Sequence, residues 1–304
     1  MSAAEPDPLI ATLEEGRRQF LALVDHVRPD LHRYCARMTG SVADGEDVVQ
    51  DTLARAYYQL PELKELPPLR PWLFRIAHNR AIDYHRRAAY RVSEPLESAM
   101  DVADDGAREP ENALARSQAV HAAISSFLSL APAQRASVIL KDVLDHSLDE
   151  IASQLELSVP AVKAALHRGR TQLRGMSEAS RSTPAVRTIS PTLTRYANLF
   201  NAHDWDGVRA MLADDVKLDL VSRLKAAGRR EVGVYFTNYE RTSDWRLVPA
   251  WLDGREVLAV FCGPDAVLPG YFIELGSVDV EVISIRDFRY VQYITQEAAI
   301  EFAS

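Results

Sequence analysis

The sequence predicts a multidomain chain in which two all-α domains, the second a helix-turn-helix, are followed by an α+β domain. Its 304 residues exceed the roughly 100–200 residues of one average domain. Apolar residues recur at helical spacing in two stretches, 16–91 and 113–176, which are separated by an acidic, proline-containing linker at 92–112. A second polar linker at 177–191 precedes residues 192–304, which open with helical spacing and finish in the alternation typical of strands.

The composition is that of a globular chain, with 47% hydrophobic and 26% charged residues. No window approaches the roughly 20 uninterrupted apolar residues that a membrane span needs. The first residues are acidic and mixed, so we expect no secretory signal and a cytoplasmic location. Cys35 and Cys262 are expected to be small buried residues in a reducing compartment. Cysteine and histidine do not cluster, so neither a structural metal nor another cofactor is predicted.

The charge is distributed unevenly along the chain. A formal net charge of -8 argues on its face against binding nucleic acid. However, the segment from Arg70 to Arg91 contains six arginines against one acid, Asp83. The segment from Ser158 to Arg174 contains four basic residues and no acid. These two segments predict two separate contacts with a polyanion, because a solvated helix face usually mixes both signs.

In the first all-α domain, a helix buries one stripe of residues at helical spacing: Val49, Leu53, Ala56, Tyr57 and Leu60. Acidic residues at its start suit the positive end of the helix dipole. A loop containing Pro67, Pro68 and Pro71 precedes a second helix, predicted from about Trp72 to Arg87. An aromatic residue that begins a helix usually belongs to the core, so Trp72 is interpreted as mainly structural.

The second all-α domain ends in a helix-turn-helix pattern. One short helix has an apolar face formed by Leu148, Ile151, Ala152 and Leu155. The tight connection Glu156-Leu157-Ser158 follows, with Ser158 as N-cap and Pro160 in the first turn of the next helix. In that second helix Val162, Leu166 and Leu173 face inward, whereas the outward face carries Lys163, Ala164, His167 and Arg168.

The last domain begins with a helical stripe formed by Leu193, Tyr196, Ala197 and Phe200. Residues 280–294 alternate in polarity, as strands do. Asp253-Gly254 lies between two further strand-like runs, Val248–Trp251 and Glu256–Phe261, and predicts a two-residue hairpin turn. The paired acids Asp214-Asp215 are interpreted as a helix end.

Three of these segments together resemble a known family. DGEDVVQDTLARAYYQL (44–60) resembles the core-binding part of sigma region 2, and PWLFRIAHNRAIDYHRR (71–87) resembles the helix that reads the promoter −10 element. Residues 128–174 resemble sigma region 4, which reads the −35 element. Only regions 2 and 4 are matched, as in the extracytoplasmic-function sigma factors. Residues 192–304 resemble the cone-shaped SnoaL-like α+β domains through LTRYANLFNAHDWDGVRAMLADDV (193–216) and VEVISIRDFRYVQYI (280–294).

The resemblance implies a subunit that binds core RNA polymerase and promoter DNA. Residues expected to bind core polymerase are Asp47, Val49, Gln50, Leu53 and Arg55. Residues expected at the −10 element are Arg75, Asn79, Arg80, Asp83, Arg86 and Arg87. Residues expected at the −35 element are Pro160, Lys163, Ala164, His167, Arg168 and Arg170.

Within the −35 set, Lys163 and His167 are best placed for base edges, whereas the arginines at 168, 170 and 174 suit phosphates. Many members of the family carry Ser and Arg where this chain has Ala164 and Ala165. Recognition of the −35 element is therefore expected to depend more on DNA shape.

Some SnoaL-like domains are enzymes that use Asp, His or Tyr inside the cone. The residues of those types here are Tyr196, His203, Asp219, Tyr271 and Asp287. None forms a spacing that demands chemistry, so structural roles are favoured and no catalytic residue is predicted. We expect the domain to contact the linker or regions 2 and 4 and to regulate polymerase binding. Two alternatives are a ligand-sensing helix-turn-helix regulator whose cone binds a small molecule, and an enzyme with a helical appendage.

Overall fold

The computed structural model divides into two units, which are described separately. It describes residues 8–65, 67–93, 127–179, 188–241, 244–296, 298 and 300–302. The helices of residues 8–93 and 127–179 belong to the first unit, and residues 188–302 belong to the second. The expected linkers at 92–112 and 177–191 lie largely outside the described residues.

The first unit begins with helices whose ends are encoded locally. Gly40 ends the second helix with φ 84°, a conformation that glycine adopts without steric cost. The next helix begins after Ser41, whose hydroxyl accepts a hydrogen bond from the Asp44 amide at 3.2 Å. The elements are α1 (Pro8–Val24), α2 (Arg28–Thr39), α3 (Val42–Gln59), a 3₁₀ turn (Leu60–Glu62) and α4 (Leu69–Ser93). Helix α4 starts before the expected Trp72, because Pro71 is tolerated in a first turn.

The remaining helices of the first unit are α5 (Pro132–Val138), a π-helical turn (Ile139–Val143), α6 (Leu148–Leu155) and α7 (Val159–Ala179). Ser147 and Glu150 form a capping box at the start of α6. Glu156 adopts φ 55° in the turn, and the Ser158 hydroxyl accepts from the Ala161 amide at 3.3 Å. The predicted helix-turn-helix is therefore confirmed, with Ser158 as its second cap.

One continuous apolar core runs through the first unit. It contains residues from both sides of the linker, including Leu31, Leu73, Ile139 and Leu166. Trp72 is only 4% exposed and belongs to this core, which confirms its structural interpretation. Burial of these side chains from α2, α4, the π-helical turn and α7 stabilises the helices far more than their intrinsic propensities do.

The second unit is α+β, as the sequence predicts. Its helices are α8 (Pro191–Asn201), α9 (Trp205–Ala210), α10 (Arg229–Tyr235) and α11 (Thr237–Glu240). Its strands are β1 (Leu212–Leu220), β2 (Leu224–Ala227), β3 (Trp245–Leu252), β4 (Arg255–Cys262), β5 (Tyr271–Val278), β6 (Glu281–Asp287) and β7 (Ile300–Phe302). A 3₁₀ turn, Ile294–Gln296, precedes β7. The sheet order is β2-β1-β6-β5-β4-β3-β7, and β1 and β6 pair in parallel.

Two local predictions in this unit have opposite outcomes. The β3–β4 hairpin turns at Asp253 (φ 52°) and Gly254 (φ 79°), so the predicted two-residue turn is confirmed. The interpretation of Asp214 and Asp215 as a helix end is wrong, because both lie in β1. Strand β1 pairs with β6, far along the sequence, and the register shifts between Leu212 and Lys217, where these two exposed acids lie.

The two cysteines differ in environment. Cys35 is fully buried in the first unit, as expected. The expectation that Cys262 is buried is wrong: it lies exposed at the end of β4, beyond the five consecutive buried residues 257–261. In the part of the chain that the structure describes, no helix is long and apolar enough to cross a membrane.

Candidate nucleic-acid and polymerase interfaces

Helix α4 places the expected −10 residues along its outward side. Arg75, Asn79, Arg86 and Arg87 are exposed, whereas Arg80 is partly exposed. The opposite side of the helix carries buried apolar residues, namely Leu73, Ile76, Ala77 and Ala81. A strip of positive charge thus lies on a helix that the core holds in place, as contact with a DNA backbone requires.

Asp83 lies within this basic strip and pairs with two of its arginines. Its carboxylate oxygens lie 2.9 Å from Arg80 Nη2 and 2.9 Å from Arg86 Nη2. Arg80 also approaches Asp51 of α3, at 3.7 Å. A carboxylate is repelled by phosphate, so Asp83 is better suited to orienting the two guanidinium groups than to contacting DNA directly.

Two partly buried hydrogen bonds hold α4 against α2 and α3. The Tyr84 hydroxyl donates to Asp44 Oδ2 at 2.8 Å, and the Tyr34 hydroxyl lies 2.8 Å from His78 Nδ1. Burial lowers the pKa of His78 to about 4. His78 is therefore neutral near pH 7, and Nδ1 accepts the proton of Tyr34, whose own pKa is raised by burial.

The expected polymerase-binding residues of α3 divide into two groups. Asp47 and Arg55 are exposed, and Gln50 is partly exposed, with its amide 3.5 Å from Glu46. Val49 is 0% exposed and Leu53 is 5% exposed, so neither side chain is accessible to a partner in this structure. They belong to the core and fix the helix that presents the other three.

The helix-turn-helix presents a second basic surface, on α7. Pro160, Lys163, His167 and Arg168 are exposed, and Ala164 is partly exposed. A shallow groove of about 330 Å³ is lined by Lys141, Leu148, Lys163, Leu166, His167, Arg170 and Arg174. The groove brings together three of the residues expected at the −35 element, Lys163, His167 and Arg170, whereas Pro160, Ala164 and Arg168 are not among its lining residues.

Two basic residues of this groove have partners within the first unit. Arg170 makes a bidentate pair with Asp142, through Nε at 2.9 Å and through Nη2, and this hydrogen bonding raises the pKa of Arg170. Lys141 donates to Asp145 at 3.2 Å and to the His146 carbonyl at 3.1 Å. Lys141 is not among the residues that the sequence predicts here, because it precedes the helix-turn-helix and only the packing of α7 brings it to the groove.

The five candidate residues of the second unit are not all brought together. Tyr196, Tyr271 and Asp287 are buried. His203 is exposed, with its ring stacked 5.7 Å from that of Trp205. Asp219 lies 3.5 Å from Lys225 across the β1–β2 pair. These two residues therefore lie outside any common site.

Asp287 is the centre of a buried tyrosine cluster. It is 0% exposed, and burial raises its pKa. Its Oδ2 accepts from Tyr235 at 2.6 Å and from Tyr239 at 3.1 Å, while Oδ1 accepts from the Arg289 amide at 2.8 Å. Tyr239 also lies 3.1 Å from Tyr271, oxygen to oxygen. Both Tyr235 and Tyr239 were missed, because α10 and α11 show no pattern that points toward β6.

Comparison with known protein families identifies both halves of the first unit. Residues 23–91 match the model described as Sigma-70 region 2. Residues 121–173 match the model described as Sigma-70, region 4. The two matches occur in the order that the sequence motifs predict, and they cover α4 as far as residue 91 and α7 as far as residue 173.

Among curated proteins, the ECF RNA polymerase sigma factor SigG of Mycobacterium tuberculosis is 34% identical over 218 residues. That match covers 64% of this chain and 59% of SigG, so the chain spans less than two thirds of that relative. The ECF RNA polymerase sigma factor SigW of Bacillus subtilis is 31% identical over 163 residues, covering 51% of this chain and 87% of SigW.

Solved structures similar to the chain include two of different kinds. The match to the structure of the Mycobacterium tuberculosis extracytoplasmic function sigma factor SigJ covers 88% of this chain and 95% of the SigJ chain, with 20% identity and a TM-score of 0.36. The match to the structure of a putative ketosteroid isomerase from Kribbella flavida covers 32% of this chain and 73% of the isomerase chain, with 25% identity and a TM-score of 0.26. The ligand-sensing regulator is not favoured. On the two region matches and the identity shared with most of SigW, the chain belongs to the extracytoplasmic-function sigma factors.

Proposed function

We propose that the chain acts in the cytoplasm as a sigma factor, binding core RNA polymerase and directing promoter-specific initiation of transcription. The observation that carries this proposal is the pair of outward basic surfaces on α4 and α7, each inside a matched sigma region. An acidic chain with two such surfaces suits a protein that meets DNA at two separate places.

At the −10 element, α4 would hold one displaced strand. The exposed arginines of α4 neutralise phosphates, and the amide of Asn79 suits a base edge. Extruding a base costs a few kcal/mol, which phosphate contacts and a base pocket together can offset. Because Asp83 pairs with Arg80 and Arg86, the positions of these two guanidinium groups are set before DNA arrives.

At the −35 element, α7 would enter the major groove. Lys163 and His167 lie on its exposed side and reach toward base edges, whereas Arg168 suits a phosphate. Arg170 is paired with Asp142, so its position is fixed and its positive charge is offset by that carboxylate. The small side chain of Ala164 leaves few polar base contacts, which favours readout of DNA shape.

For the second unit, we infer regulation of polymerase binding rather than catalysis, through contact with the linker or with regions 2 and 4. The tyrosine cluster supports this inference, because the oxygens of Asp287 already accept hydrogen bonds from Tyr235, Tyr239 and the Arg289 amide. A chain truncated after Ser180 should then differ from the full chain in promoter activity. Identical transcription by both forms would rule out a regulatory role for the second unit.

Co-elution with core RNA polymerase tests the main proposal. The full chain should co-elute, and an Asp47→Ala/Gln50→Ala variant should bind more weakly, because both side chains are accessible on α3. An Asp25→Ala/Gln19→Ala variant removes the same two residue types from exposed positions outside α3 and should bind normally. If neither the full chain nor the truncated form co-elutes, the chain is not a sigma factor in function.

A further inference from the structure

The basic residues that line the groove of the helix-turn-helix fall into two groups. Lys141 and Arg170 each pair with an acidic residue of the segment that precedes α6. Lys163, His167 and Arg174 line the same groove, and no acidic residue in the described part of the chain pairs with their side chains. The groove therefore has one side whose positive charge is offset and one side whose positive charge is available.

The pair between Asp142 and Arg170 is made along one edge of the guanidinium. Asp142 lies in the π-helical turn, and Arg170 lies on α7, 28 residues later in the sequence. Arg170 Nε donates to Asp142 Oδ2 at 2.9 Å, and Nη2 donates to Oδ1. This bidentate geometry is the strong form of an arginine–carboxylate contact. It occupies Nε and Nη2, so Nη1 is the group of Arg170 that another anion could reach.

The pair is placed at the surface rather than in the core. The side chains of Arg170 and Asp142 are 41% and 35% exposed. An ion pair with this exposure contributes little to the free energy of folding, because water already solvates both charges well. Its effect on the charge of the surface is larger, since the carboxylate offsets one of the positive charges that the groove presents. The stability of the first unit alone therefore does not account for this pair.

The offset charge matters for contact with DNA. A cation that neutralises a phosphate releases condensed counterions from the duplex, and this release supplies most of the affinity that is independent of sequence. A guanidinium that a carboxylate already neutralises gains less from a phosphate, and the carboxylate also repels that phosphate. Arg168, two residues before Arg170 on α7, is exposed and has no acidic partner in the described part of the chain. The two arginines are therefore electrostatically different, although the sequence assigns both to phosphates.

We propose that Asp142 is a counter-charge that prevents Arg170 from binding a phosphate, so that the phosphate contacts of α7 come from Arg168 and Arg174. The inference deepens the proposed contact with the −35 element and rests on the proposed function. It gives Asp142, which lies outside both helices of the helix-turn-helix, a role in limiting the affinity of α7 for DNA of any sequence. A larger share of the binding free energy is then left to contacts that distinguish one sequence from another.

Fluorescence anisotropy with a dye-labelled duplex of arbitrary sequence tests the counter-charge in the full-length protein over a series of salt concentrations. Asp142→Asn removes the negative charge and keeps the size of the side chain. The same substitution in an Arg170→Gln protein shows whether the effect passes through Arg170. Asp149→Asn is the matched control, because Asp149 is exposed on α6 and pairs with no basic residue in the described part of the chain. Circular dichroism checks that each variant is folded.

Asp142→Asn should steepen the slope of log affinity against log salt by about 0.9, the value of one phosphate contact. This change makes binding about eight-fold tighter at about 0.1 M salt relative to about 1 M salt. The gain should be absent in the Arg170→Gln protein and in Asp149→Asn.

Three results would overturn the counter-charge. They are a gain of the same size in the Arg170→Gln protein, a gain of the same size from Asp149→Asn, and no gain from Asp142→Asn, including no measurable binding by that variant at the lowest salt. None of these results bears on the sigma function, which co-elution with core polymerase decides separately. A chain that fails to co-elute would lose the proposed function, whereas the salt slopes would still decide whether Asp142 offsets Arg170.

Discussion

Lowering the pH should loosen helix α4 through His78. This side chain accepts a hydrogen bond from Tyr34, and burial lowers its pKa from 6.5 to about 4. Because the folded-state pKa is the lower one, the unfolded chain binds the proton more readily. The stability that His78 contributes is present above its unfolded pKa of 6.5 and is lost as the pH falls toward about 4. Linkage gives a loss of about 2 kcal/mol between about pH 7 and about pH 5.

Hydrogen exchange of peptides from α2 and α4, corrected for the intrinsic effect of pH, measures this loss. We expect protection to fall by about 30-fold, the equivalent of about 2 kcal/mol. His78→Gln keeps an acceptor for Tyr34 but cannot titrate, so it should lose much less protection. Burial also lowers the pKa of His146, and the difference between the two proteins removes that shared contribution. An equal loss in wild type and His78→Gln would refute the reasoning.

Three further perturbations have expected outcomes. In the polymerase complex, Lys163→Ala should reduce discrimination at one −35 base pair by about 1–3 kcal/mol. Arg168→Ala should instead weaken binding to all promoter sequences alike and reduce the slope of log affinity against log salt by about 0.9. Binding assays over a salt series distinguish the two variants. Tyr235→Phe removes a hydrogen-bond donor to buried Asp287 and should destabilise the second unit by about 1–3 kcal/mol. Thermal unfolding measures this loss, and Tyr290→Phe, at an exposed ring, is the control. Gly40→Ala places a methyl group at φ 84° and against Leu128. It should therefore lower the stability of the first unit by more than about 1 kcal/mol. A stability equal to that of wild type would contradict the assigned backbone conformation.

The features that the sequence predicts correctly depend on local interactions. The helix-turn-helix follows from Ser158 and the apolar spacing around it, and the β3–β4 hairpin follows from Asp253-Gly254. Helix caps and two-residue turns depend on interactions within a few residues, so they can be predicted without knowledge of the fold. The basic surfaces of α4 and α7 were likewise predictable, because helical spacing separates their outward residues from the core.

The features that the sequence does not predict depend on distant pairing. Asp214 and Asp215 resemble a helix end until β6 pairs with β1. Arg135 lies in a segment with no basic cluster. Its contact with the Met38 carbonyl, 97 residues away in sequence, therefore cannot be predicted from the local composition.

Competition for core RNA polymerase tests the central claim most directly. A sigma factor occupies one site on the enzyme, so this chain should displace a labelled housekeeping sigma factor from it in proportion to concentration. The Asp47→Ala/Gln50→Ala variant should require a higher concentration, and the Asp25→Ala/Gln19→Ala control should match wild type. Binding of the chain without displacement, or no binding at any concentration, would contradict the assignment of this chain as a functional sigma factor.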